Sequence, residues 1–353
     1  MAASLIRCAF GAPASNLLKF LRPSVAVVTE CRRGRKNYLR KYLLALYKRR
    51  LEVGPEKPRH RSEWINWNYD AELYAFGKRL GEEFSPNTLR TAFTHHSYIE
   101  KEEKRRADVG IDTNAAPLGL TDNTDLIQKG EATASRYLKA YLRHIYPALY
   151  EEGIMSIHAY LMSEKMLAYI ASHIGISDLI LCADFPPEES TLSKTFLAVV
   201  GALETDQDLA RAEAFVHDLV LTQLIGEDLT EIWKVTDPMG LLAATLHAQG
   251  RGLPEVRLLW QAGKRTVMSA SYVGIYSDRH LIGQSFGETP TIAEEMAASD
   301  ALRRLMGITN ARPPLQFQSA AKKLQLDYHK INVHAEDIIR EYEESQTNQP
   351  VLA

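Results

Sequence analysis

Apolar positions recur at three- and four-residue spacing through most of the chain from Ser62 to Val235. That spacing predicts helices over 71–80, 88–98, 125–146, 154–174, 192–203 and 209–224. The pattern changes after Asp237-Pro238. Residues 255–261, 267–276 and 281–285 read as strands, and a helix follows over 291–305, opened by Pro290. With a helix ahead of the first strand, this stretch is an α-β-β-β-α module. A weakly amphipathic helix is expected within 314–346.

Breakers and charge divide the chain further. Residues 54–61, Gly-Pro-Glu-Lys-Pro-Arg-His-Arg, read as a linker. The expected organisation is a leader over 1–30, a basic arm and linker over 31–61, and a mainly α domain over 62–235. A small α+β domain follows over 236–306, then a C-terminal tail with a helix over 307–353. No internal repeat occurs.

Composition narrows the class. The chain has 353 residues, 45% apolar and 24% charged, which suits globular domains with a sizeable core. No apolar run reaches the 18 or so residues of a membrane span. Three cysteines, Cys8, Cys31 and Cys182, are too few and too scattered for a disulfide framework or a zinc site.

A net charge of −2 conceals a strong asymmetry. Residues 1–50 hold 12 Lys and Arg against one acid, Glu30, a charge of +11. The other 303 residues hold 30 basic and 43 acidic side chains. The first 29 residues are acid-free, with Arg7, Lys19 and Arg22 among Ala, Ser and Leu, as in a mitochondrial transit peptide. Basic residues then continue as Arg32, Arg33, Arg35, Lys36, Arg40, Lys41, Lys48, Arg49 and Arg50. Tyr38, Tyr42, Leu43, Leu44, Leu46 and Tyr47 interleave with them. Such an arm can neutralise phosphates and stack on bases, so these are candidate RNA-binding residues.

Longer motifs carry a resemblance. Leu89-Arg90-Thr91-Ala92-Phe93-Thr94-His95-His96-Ser97-Tyr98 resembles the segment that opens ribonuclease III domains. Asn123, Leu126, Gly130 and Ala132 are in register with that family's signature helix. Ala171, Gly175 and Ile176 match a later helix, and Phe196, Ala198, Gly201, Ala202 and Leu203 match its last metal-bearing helix. Residues 238–305 resemble a double-stranded RNA-binding domain, through Pro238, Leu241, Pro254, Gly263, Gly287, Ala293, Ala297, Ala298 and Leu302 among others. With the basic leader, the whole is most similar to mitochondrial large ribosomal subunit proteins of ribonuclease III type. The implied fold is a mainly α ribonuclease III-like domain followed by a small α+β double-stranded RNA-binding domain. Implied partners are mitochondrial rRNA and neighbouring mitochondrial ribosomal proteins, with dimerisation through the helical domain as a further option. The implied location is the mitochondrial matrix, on the ribosome.

Ribonuclease III enzymes hold divalent metals with carboxylates set as two helical pairs, at i,i+4 and i,i+3, so that each pair shares a helix face. By the resemblance, these positions fall on Ile127 and Glu131, and on Lys194 and Leu197. Only Glu131 is a carboxylate, and another acid of the signature segment falls on Thr124. Mg²⁺ requires oxygen ligands, and an ammonium at 194 repels it. The resemblance therefore implies no nuclease activity, no metal and no cofactor. It leads us to expect a partly buried Glu131–Lys194 ion pair beside an apolar plug of Ile127 and Leu197. His95-His96 is expected to be helix-face packing. The alternatives are an active mitochondrial double-stranded-RNA endonuclease and a free RNA-binding assembly factor.

The RNA-binding module is also altered. The lysines that the family places before its last helix fall on Pro290 and Thr291, a first-helix glutamate on Ala244 and a loop histidine on Thr266. Residues 236–308 hold seven basic and seven acidic side chains, and residues 62–235 hold 15 and 28. Arg257, Lys264 and Arg265 are the module's remaining candidates for phosphate contact.

Overall fold

The structure is a computed structural model that describes residues 33–54, 61, 64–110, 118–264, 266, 268–309, 312, 314–317, 320–321 and 324–347. The chain forms two compact units, Met1–Pro58 and Arg59–Ala353. The first contains one described helix, α1 (Arg33–Val53). Its residues from Arg40 to Val53 are exposed.

The second unit begins with a helical domain. Its elements are α2 (Tyr69–Leu80), α3 (Pro86–Phe93), α4 (His96–Asp108), α5 (Thr124–Ile145), α6 (Glu151–Leu161), α7 (Glu164–Ile174), α8 (Ile176–Leu179), α9 (Glu189–Asp206) and α10 (Leu209–Leu219). A 3₁₀ turn, Leu221–Leu224, and the short α11 (Leu229–Ile232) complete it. Local chemistry sets several ends. Asn68 accepts a hydrogen bond from the Ala71 N–H to start α2, and Ser163 does the same for Met166 in α7. Gly81 and Gly175, both at positive φ, stop those two helices.

Two predicted helices are divided in the fold. The stretch 88–98 breaks after Phe93, because Thr94 bridges to Leu181 and the His95 N–H donates to the Leu181 carbonyl. The stretch 154–174 breaks at Met162-Ser163, where the Ser163 cap begins a new helix. Neither break alters the apolar spacing, so periodicity alone passes over both.

α9 is the centre of the domain. Leu192, Ser193 and every residue from Thr195 to Leu203 are buried. α5 packs along it at van der Waals contact of the backbones. A Cβ on Gly130 would lie 1.9 Å from the Leu197 carbonyl oxygen, and one on Gly201 would lie 2.1 Å from that of Leu126. Only glycine at both positions permits the crossing.

The α+β module is α12 (Pro238–Ala248), β1 (Glu255–Ala262), β2 (Ala270–Ser277), β3 (His280–Gly287) and α13 (Pro290–Leu305). Asp237 caps α12 through the Gly240 N–H, with Pro238 in the first turn. The antiparallel sheet has the order β1-β2-β3, and α13 packs on β2 and β3. β2 begins at Ala270, three residues later than its alternation suggests.

The C-terminal tail departs from expectation. Its helix is confined to α14 (Ala335–Thr347), and the described residues before it run as an irregular strap. Arg312 donates to the Leu224 carbonyl at 3.0 Å, and the Gln316 carbonyl accepts from buried His217 Nε2 at 2.6 Å. Asn332 Nδ2 donates to the Tyr146 and Leu149 carbonyls at 3.0 and 2.8 Å. The Asn332 N–H donates to Glu151, which is also paired with Arg143. α14 then packs on α12, with Tyr342 against His247. One strap thus ties the helical domain to the module, as do the Tyr150–Thr245 hydrogen bond at 2.7 Å and the Arg303–Asp228 pair at 3.1 Å.

Two outcomes are expected. Gly201→Ala should lower unfolding free energy by about 3 kcal/mol or more, since backbone has to move to admit the methyl. Urea unfolding of the full chain checks this, and an unchanged midpoint contradicts it. The second concerns pH. His217 accepts from the Tyr137 hydroxyl at Nδ1, 2.8 Å away, while Nε2 donates to the strap, so its neutral form fits both partners. Burial holds it below its ordinary range, against the pull of the Gln316 carbonyl and Asp218. The unfolded chain therefore takes up this proton more readily, and stability falls as pH drops below about 6.5. His158, pushed down to about 4 by burial and by Lys139, acts with the same sign. The melting temperature should fall between pH 7 and 5.5, and less steeply in His217→Gln.

Candidate functional site

The family positions lie around the α5–α9 crossing. Ile127 is half-buried and packs against the core, and Leu197 is buried within it. Both fill volume with hydrocarbon and offer no ligand atom. Glu131 and Lys194 are exposed. No ion pair joins them among the described residues, which corrects the expectation of a partly buried pair. The reason lies in the crossing itself. Glu131 follows Gly130, and Lys194 sits between buried Ser193 and Thr195, so each side chain leaves the flank of the contact for water. A solvated Glu–Lys pair gains at most about 1 kcal/mol, too little to hold the two together.

Lys194 instead stands near His95. The His95 imidazole is held below its ordinary range by partial burial, then by Lys194 and His96. His95 serves as the N-cap of α4, accepting from the Ser97 N–H, and its Nδ1 lies 2.8 Å from Ser97 Oγ. His96 is exposed and lies 3.2 Å from Glu100 and 3.7 Å from Asp122. The first histidine thus caps a helix and the second lies on the surface beside two carboxylates, which differs from the helix-face packing expected of both. Thr124 donates to Asp122 at 2.8 Å. Among the described residues, no group of three or more His, Cys, Asp or Glu side chains is placed to hold a metal ion.

The basic candidates divide between the two units. Arg40, Lys41, Lys48, Arg49 and Arg50 are exposed along α1, beside exposed Tyr42 and Tyr47. Arg33, Arg35 and Lys36 belong to the same helix, with side chains outside the described residues, as is all of Arg32. In the module, Arg257 is exposed, pairs with Glu255 at 2.7 Å and lies over the Tyr276 ring. Lys264 is exposed in the β1–β2 connection, and Arg265 lies outside the described residues.

The start of α13 is ill suited to a phosphate. Thr289 caps it through the Ile292 N–H and Pro290 begins it, so its first turn, Pro290–Ala293, carries no basic side chain to meet a phosphate. Ala244 is 1% exposed and faces the module's interior. Thr266 is spent on the Gly263 carbonyl, 2.9 Å away. Among polar features, sequence reasoning missed the strap, whose anchors Gln316 and Asn332 sit in a stretch without periodicity.

Fold and site together define a class: a ribonuclease III-type helical domain, poor in metal ligands, that carries a double-stranded RNA-binding module. Comparison with known proteins agrees with this. Residues 68–203 match the family described as large ribosomal subunit protein mL44, endonuclease domain, and residues 233–339 match the MRPL44 dsRNA-binding domain. The large ribosomal subunit protein mL44 of Caenorhabditis elegans is 34% identical over 79% of this chain and 70% of its own length. A ribonuclease 3 from Symbiobacterium thermophilum is 31% identical over 63% of this chain and 90% of its own. A solved nuclease domain of ribonuclease III from Campylobacter jejuni aligns with 42% of this chain and 96% of its own, at 22% identity and a TM-score of 0.36. The chain belongs to the large ribosomal subunit protein mL44 family.

The electrostatic reading of the module has a gain-of-function test. Pro290→Lys with Thr291→Lys should raise the full chain's affinity for a perfect RNA duplex. The slope of log affinity against log salt should steepen by roughly two phosphate contacts. An unchanged slope would mean that this helix end does not face the duplex.

Proposed function

We propose that the protein is a non-catalytic structural component of the mitochondrial large ribosomal subunit. The observation that carries the reading is the substitution of the metal positions. Ile127 and Leu197 are hydrocarbon, Lys194 is a cation, and Glu131 stands alone in solvent. Two-metal phosphodiester cleavage needs oxygen ligands around both ions, and a lone carboxylate cannot supply them. Membership of a ribosomal protein family supports the same reading, as does the charge layout. In this reading α1 grips rRNA through its arginines, lysines and tyrosines, while the acidic helical domain and neutral module pack against neighbouring proteins. Residues 1–30 act as the import signal, and the protein resides in the matrix on the ribosome.

Sedimentation of mitochondrial large subunits tests this. The wild-type protein should travel with the subunit through a high-salt wash. The variant Arg40→Glu, Lys41→Glu, Lys48→Glu, Arg49→Glu, Arg50→Glu should be released at lower salt, while a reporter fused to residues 1–50 should enter mitochondria. Free protein at the top of the gradient would favour an assembly factor. Mg²⁺-dependent cutting of duplex RNA by the purified chain, lost in Glu131→Gln, would favour the nuclease.

A further inference from the structure

β1 and β3 are the two edges of the sheet; α13 packs on β2 and β3, while β1 pairs with β2 alone among the described residues. Its apolar side chains are exposed on both faces. Val256 and Leu258 stand opposite buried Ile275 and Val273, on the helix side of the sheet, yet Leu258 is 51% exposed. Leu259 and Trp260 lie on the opposite side, against Gly274 and opposite Tyr272, and Trp260 is 54% exposed. A bulge between Leu258 and Trp260 places those two side chains together.

Natural edge strands are usually blunted by charge, proline, a bulge or a covering element. β1 has no lysine or proline in Glu255–Ala262, its two charges pair with each other, and its bulge leaves Leu258, Leu259 and Trp260 exposed. A row of backbone N–H and C=O groups flanked by apolar side chains above and below is completed by another strand.

We propose that β1 is a docking edge for an extended, uncharged segment of a neighbouring polypeptide, which adds a fourth strand to the sheet. The choice of neighbour rests on the ribosomal reading above. Charge selects polypeptide over RNA. The only ionic groups of the strand, Glu255 and Arg257, neutralise one another at 2.7 Å, and nothing there calls for phosphate. Area selects a segment over a second copy of this chain. Eight residues make a strip about 27 Å long. Two such edges paired about a twofold would bury well under the roughly 1,200 Å² of a stable dimer. A strand delivered by a protein already held in the same assembly needs no such area, because its local concentration is high.

Hydrogen exchange on the isolated full-length chain tests the edge, with a synthetic octapeptide of alternating valine and threonine as the probe. At saturation the peptide should slow exchange of the β1 amides at least tenfold, while α9 amides stay unchanged. Leu258→Lys with Trp260→Lys should abolish the slowing and lower the melting temperature only slightly, since each side chain is about half exposed. In purified large subunits the β1 amides should be protected as well. Absence of slowing by the peptide overturns the proposal, as does slowing by a decauridine probe in its place. A chain that fails to sediment with large subunits but still binds the peptide would remove the ribosomal reading and leave the edge standing.

Discussion

Helices α5 and α9 meet backbone to backbone at Gly130 and Gly201, with carbonyl oxygens of Leu197 and Leu126 where each Cβ would otherwise sit. That contact sets the spacing of everything around it. It brings Leu126, Ala134 and Leu138 of one helix against Phe196, Val200 and Leu203 of the other, all buried. The same contact turns positions 131 and 194 outward on its flanks. Around it lie Ile127, Leu197 and two solvated charges that do not pair.

A second constraint holds the two parts of the larger unit as one. The strap before α14 satisfies buried polar groups that the helical domain cannot satisfy itself. His217, 1% exposed, finds its second partner in the Gln316 carbonyl. The carbonyls of Tyr146 and Leu149 at the end of α5 find theirs in Asn332. Glu151 joins Arg143 to the Asn332 backbone. Removing the strap would leave several buried donors and acceptors open, each at a cost of about 1–3 kcal/mol. The module is therefore fixed against the helical domain by covalent connection, by packing and by this polar seam.

The charge distribution follows the same division of labour. Basic residues concentrate in the first unit, where α1 exposes five of them together with two tyrosines. In the module α13 begins at a capped turn without a basic side chain, and the exposed side chains of β1 are mostly apolar.

The sequence by itself determined much of this. Apolar periodicity located most of the long helices, and Asp237-Pro238 and Pro290 located two starts, because those signals are local and depend on few residues. The family motifs placed Ile127, Glu131, Lys194 and Leu197 at one crossing, since Gly130 and Gly201 lock the register. Charge counting separated the arm from the body. Tertiary structure alone decided the break at Thr94, because it depends on a bridge to Leu181, which is distant in sequence, whereas the break at Ser163 rests on a local cap that periodicity passes over. It alone decided that Glu131 and Lys194 stay apart, since side-chain direction depends on how closely two helices approach. The strap was illegible for the same reason: Gln316 and Asn332 show no pattern along the chain, and their role exists only once His217, Tyr146 and Leu149 are buried and in need of partners.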